Sequence, residues 1–209
     1  GRQVSLDFVQ DSRRATVIDI PVEAGCETKA GEAVAAFRQA ARWLPAMSRR
    51  LRKIELAGAE SRVWTADFGA TATSGIRIVV LGGAEPGRAL ALDLVEETTL
   101  FMPLSADGPM AAEAVLPRLW LLAPLAESLA SGWLMNGRCF RVDPGRGSLA
   151  RGGSEPRATF DRIGAALGER LRELHDLIDQ DWAGFAESAG LATTSPETGP
   201  AIFWRRLAD

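Results

Sequence analysis

Residues 62–95 read RVWTADFGATATSGIRIVVLGGAEPGRALALDLV, and this stretch decides the fold class. Trp64, Ala66 and Phe68 occupy alternate positions and predict a strand over 62–68 with these three on one face. Ile76 to Leu81 is nearly continuously apolar, the composition of a central strand. Ala89 to Val95 alternates again and places Leu90, Leu92 and Leu94 inward. Gly82-Gly83-Ala84-Glu85-Pro86-Gly87 is dense in turn formers and predicts the connection between the last two strands.

Upstream, Lys53 to Ala57 adds a strand. Before it, Val34, Phe37, Ala41 and Leu44 recur at helical spacing, with Thr28 as the expected cap and Pro45 as the expected stop. The chain begins with two alternating runs, Val4-Leu6-Phe8 and Ile18-Ile20-Val22, joined by the polar turn Asp11 to Arg14: a hairpin.

Downstream, Leu100 to Leu104 predicts a short strand and Pro109 to Val115 a helical turn, while Leu119 to Leu122 suits either state. Trp133 to Val142 reads as a strand feeding the loop Asp143 to Gly147. Phe160, Ile163, Leu167, Leu171, Leu174, Ile178, Trp182 and Phe185 then mark one apolar stripe along a helix of about 40 Å. Gly164, Gly168 and Gly184 allow that helix to be two.

Strands, a helix, more strands and a final helix predict an α+β fold with a mixed or antiparallel sheet and packed helices. The strands from Val4 to Val142 are expected to form mainly one sheet. Residues 1–191 are read as a single domain and residues 192–209, with Ser195-Pro196 and Gly199-Pro200, as a C-terminal linker or docking tail.

Composition narrows the function. The 209 residues are 46% hydrophobic and 24% charged, with net charge -3. That is a globular composition, and its charge argues against a nucleic-acid partner. Arginine supplies all the basic residues except Lys29 and Lys53, which with abundant Ala and Gly reads as the coding bias of a GC-rich bacterial genome. One histidine, His175, and two cysteines, Cys26 and Cys139, cannot build an ordinary zinc site, so no metal is expected. His175 follows the stripe residue Leu174 and reads as a surface residue of the helix. The cysteines read as reduced, buried thiols of a cytoplasmic protein. The longest apolar run, Leu119 to Leu125, is far too short to span a membrane. The chain opens on Gly1, which predicts an excised fragment.

Few motifs could carry chemistry. The glycine pairs Gly82-Gly83 and Gly145-Arg146-Gly147 form neither a P-loop nor GxGxxG. Arg49, Arg50, Arg52 and Lys53 form a basic patch that could meet phosphates, or simply a solvated junction between helix and strand.

The segment WLMNGRCFRVDPGRGSL, residues 133–149, delivers an apolar strand into a tight arginine-bearing loop. It resembles the middle region of ATPases of the sacsin and ninety-kilodalton heat-shock chaperone type, within the gyrase, chaperone, histidine kinase and MutL superfamily. Leu100-Phe101-Met102-Pro103-Leu104 resembles a phrase of the same family, and Leu121-Leu122-Ala123-Pro124-Leu125 repeats it loosely. The helix after Arg157 fits as well, and the resemblance covers about residues 50–185.

The resemblance implies a ribosomal-protein-S5-domain-2-like middle domain that couples the nucleotide state of a neighbouring ATP-binding domain of the same chain to a polypeptide client or partner protein. No cofactor is expected in this chain itself; ATP and magnesium would belong to the parent protein. Arg146 matches the family's phosphate-sensing arginine, with Asn136, Gly145, Gly147 and Ser148 supporting its loop. The chaperones carry Glu after that arginine and a glutamine nearby; here Gly147 follows and no glutamine stands between Asn136 and Asp161, so the sacsin-like branch is the closer match. Two alternatives stand beside this reading. One is a non-catalytic interaction scaffold docking a partner on the helix stripe. The other is a MutL- or topoisomerase-like middle domain whose basic patch meets DNA.

Overall fold

The structure, a computed structural model, describes residues 3–9, 15–21, 23, 25–48, 50–56, 62–73, 75–126, 131–143, 149 and 154–177. In chain order the elements are β1 (Gln3–Val9), β2 (Ala15–Pro21), α1 (Glu27–Ala41), α2 (Leu44–Met47), β3 (Lys53–Leu56), β4 (Arg62–Thr73) and β5 (Ile76–Gly83). There follow β6 (Gly87–Asp93), β7 (Thr98–Leu104), β8 (Leu119–Leu121), β9 (Ala123–Pro124), β10 (Leu134–Gly137) and α3 (Ser154–Leu177). The fold is α+β.

An eight-stranded sheet runs β3-β4-β5-β6-β7-β10-β8-β9. It is an antiparallel meander up to β7; β10 then inserts between β7 and β8 and pairs parallel with β8, so the sheet is mixed. The expectation of mainly one sheet is corrected at the start of the chain: β1 and β2 pair only with each other, from Gln3↔Pro21 to Val9↔Ala15. The edge strand β3 has four residues and carries Lys53 and Glu55, a poor template for further pairing.

Strand alternation builds two cores. On one face Leu90, Leu92, Leu100, Met102 and Met135 meet Ile163, Leu167, Leu171 and Leu174 of α3. On the other, Ala66, Ala89 and Ala91 meet Ala40, Ala46 and Met47 of α1 and α2. The facing alanines let backbone layers come close, and the wholly buried Trp64 and Trp120 fill the space beside them. Each fully buried side chain of this size contributes roughly 1.5–3 kcal/mol. Arg42 fastens the end of α1 to the β5–β6 turn by donating to the Pro86 carbonyl, 3.3 Å away. The α3 side of the sheet is only partly covered: Ile78 and Val80 remain 43% and 46% exposed. Among the described residues no helix is long and apolar enough to cross a membrane.

Five local expectations change. Pro45 does not stop a helix but starts one, standing in the first turn of α2, where its missing N–H costs no hydrogen bond. Thr28 is not the cap of α1; the helix begins at Glu27 behind Cys26, which makes no side-chain cap. Residues 109–115 form no helical turn, because their amides bond elsewhere: Met110 to the Pro103 carbonyl and Ala112 to the Gly132 carbonyl. Gly82 and Gly83 lie inside β5 and the turn comes after them; a Cβ on Gly83 would stand 1.8 Å from the Val63 carbonyl oxygen. The strand expected over 133–142 ends at Gly137, where the chain turns tightly over Phe140, so Arg138 and Arg141 lie beyond it.

Candidate functional site

A polar row crosses the α2 side of the sheet. Thr99 on β7 stands between Asp93 of β6 and Asn136 of β10, and Asn136 pairs with Trp120 of β8. Period-two alternation puts these side chains on the face that carries Phe101 and Leu134. Arg77, on β5, pairs its guanidinium with the Asp93 carboxylate, and the Thr99 hydroxyl donates to the other Asp93 oxygen at 3.0 Å. The Arg77 guanidinium lies over the Phe68 ring, 5.0 Å from its centroid.

Asn136 closes the row. Its side-chain amide donates to the Met47 carbonyl at 2.9 Å, and its oxygen accepts the Leu122 N–H at 3.1 Å. One residue thereby ties β10 to α2 and to the turn between β8 and β9.

These groups border a cleft of about 30 Å³, whose rim includes Glu97 and Arg138, an ion pair at 3.2 Å. The rim is built on unusual backbone. Glu96 and Glu97, the central residues of the β6–β7 turn, have φ of 57° and 52°, and Leu122 has φ of 62°. Left-handed geometry at non-glycine residues is costly and persists where surrounding contacts impose it. Here they do: Arg162 of α3 holds Glu96 at 2.8 Å, and Arg138 holds Glu97.

Beside this turn, Thr98 Oγ1 lies 3.4 Å from the Cys139 Sγ. Burial pushes the Cys139 thiol above its ordinary value, against a lowering contribution from the Thr98 contact. Burial also lowers the Arg118 guanidinium, which donates to the Ala112 carbonyl at 2.9 Å.

Of the residues singled out in the sequence, Asn136 alone lies in this cleft. Arg146, Gly145, Gly147 and Ser148 lie outside the described residues; Val142 and Leu149, flanking that loop, form an antiparallel bridge. In the basic patch, Arg49 is outside the described residues, Arg50 and Arg52 are exposed, and Lys53 pairs with Glu55 at 2.7 Å. Cys26 and Cys139 are free and half-buried, a correction to the fully buried thiols expected. His175 is exposed on α3, with Nδ1 3.5 Å from Asp176. Among the described residues no group of three or more His, Cys, Asp or Glu could hold a metal.

No protein-family model, no curated protein and no solved structure matches this chain. Geometry therefore carries the site. Arg77, Asp93 and Thr99 were legible only as opposite charges and a hydroxyl interrupting strand patterns; register is what makes them neighbours.

Proposed function

We propose that this chain is the middle domain of a sacsin-like or chaperone-like ATPase. It couples the nucleotide state of a neighbouring ATP-binding domain to the binding of a polypeptide client or partner protein. The observation that carries the reading is the path of the chain through residues 134–154. β10 lies inside the sheet between β7 and β8, the Val142–Leu149 bridge closes the base of the following loop, and α3 starts at Ser154. A strand, an arginine-bearing loop and a helix, in that order, are what the family resemblance of residues 133–149 requires.

In this reading Arg146 reaches a nucleotide held by the neighbouring domain. An arginine is always charged and offers a planar fork to phosphate oxygens. A group presented by a separate domain engages after closure and so favours the transition state over the bound ground state. The test is Arg146→Ala in the full-length parent protein. Turnover falls by about 2–4 kcal/mol in barrier terms while nucleotide affinity stays nearly constant. Arg172→Ala, an exposed α3 position, is the control and leaves turnover unchanged. Equal and small effects of the two substitutions would remove Arg146 from this role.

A further inference from the structure

We infer that the cleft between Arg77 and Arg138 is a binding site for a compact oxyanion, a carboxylate or a phosphoryl group. This inference is independent of the ATPase reading and concerns only described residues.

Four observations carry it. Arg77 is three-quarters buried, its side chain 24% exposed, yet its Nε has no hydrogen-bond partner among the described residues. One terminal nitrogen engages Asp93, but Thr99 already occupies the second oxygen of that carboxylate. A buried guanidinium with an unmet donor is a destabilising feature unless a ligand or solvent completes it. Second, Arg138 lines the same cleft and is half-exposed; its partner Glu97 is 67% exposed, so their pair is solvent-screened and readily exchanged. Third, the charged lining is two arginines against one glutamate, an excess of positive charge. Fourth, the volume of about 30 Å³ suits a small planar or tetrahedral group and excludes a large ligand.

Backbone strain fits the same site. Glu97 and Leu122 line the cleft with positive φ. Glu97 acts as an internal carboxylate that occupies Arg138 until an external oxyanion replaces it. Asn136, with its amide and its oxygen both engaged, holds the wall of the cleft in place and is a positioning residue.

The experiment follows the Arg77 Nε–H resonance of the 209-residue chain by proton–nitrogen NMR during titration at constant ionic strength. Acetate and inorganic phosphate are the two probes, and chloride is the reference. A saturable shift with acetate, with phosphate or with both supports the site and names the favoured group. Arg138→Gln, at an exposed position the fold tolerates, weakens the apparent affinity about tenfold. Glu97→Gln removes the internal competitor and tightens it. A shift that never saturates, or one that chloride reproduces, overturns the proposal. So does an affinity unchanged in Arg138→Gln, or one weakened in Glu97→Gln.

Discussion

Asn136 donates its side-chain amide to the carbonyl of Met47, a residue 89 positions earlier, at 2.9 Å. The same side chain accepts the Leu122 N–H, so three segments distant in sequence meet on one amide. Asn136→Leu leaves the Met47 carbonyl and the Leu122 amide unmet and lowers stability by about 2–3 kcal/mol. Urea denaturation checks this. Asn136→Asp is at least as harmful near neutral pH, because a carboxylate oxygen then faces the Met47 carbonyl. An unchanged midpoint in both variants would show that water replaces these bonds at no cost.

Leu171 lies on α3 among residues of the larger core and is 4% exposed. Leu171→Asp puts a charge into that layer and costs several kcal/mol, on the order of 3–5. A thermal unfolding temperature equal to that of the native chain would mean that α3 does not seal this face.

Two glycines separate close approach from mere permissiveness. Gly83→Ala forces a Cβ to within 1.8 Å of the Val63 carbonyl oxygen at a φ of 104°, so β4 and β5 must part. Loss of more than about 2 kcal/mol is expected. Gly31→Ala meets nothing within 4 Å in the interior of α1 and gains about 0.5–1 kcal/mol. Chemical denaturation of the pair should move in opposite directions.

The β6–β7 turn carries two glutamates in left-handed geometry, with the Thr98 N–H donating to the Val95 carbonyl at 3.1 Å. This is the geometry that Asn-Gly adopts most readily. The double substitution Glu96→Asn with Glu97→Gly relieves roughly 1–2 kcal/mol of strain per residue and removes two exposed ion pairs worth at most about 1 kcal/mol each. A net gain of about 1 kcal/mol is expected by urea denaturation. A net loss would show that the pairs to Arg138 and Arg162 outweigh the strain.

Burial raises the Cys139 thiol in the folded chain, so the folded state holds this proton more tightly than the unfolded state. The stability so contributed is complete below the unfolded value of about 8.5 and is lost as pH rises through the folded value. The native chain should therefore lose stability in this alkaline window relative to Cys139→Ala, with no pH-dependent difference between them below it. Denaturation midpoints across that range check the sign. The raised value also predicts slower alkylation at pH 8 than for an unstructured thiol peptide.

Local pattern was enough for the elements whose side chains face one environment throughout. The stripe Ile163, Leu167, Leu171 and Leu174 is buried along α3 as its spacing requires, because helical geometry sends residues three and four apart to one side. Leu90 and Leu92 face α3 as alternation requires, while Ala89 and Ala91 show that β6 is covered on both faces. Pattern misled where the deciding partner was distant in the chain. Pro45 is tolerated because it opens α2, Gly83 is needed because Val63 crosses it, and residues 109–115 stay extended because Pro103 and Gly132 take their amides.

The amino-acid sequence by itself determined the α+β class, the two-sided burial of the sheet and the buried stripe of its last described helix, since each follows from periods of 2 and 3.6 residues within one segment. It also marked Asn136, through its place in the segment resembling the chaperone-type ATPases. Only the tertiary structure decided that β10 enters between β7 and β8, and that Arg77, Asp93, Thr99 and Asn136 share one row beneath Met47. The physical reason is register. Which residues become neighbours across a sheet depends on strand order and on the pairing offset, and a shift of one residue would turn every one of these side chains to the opposite face.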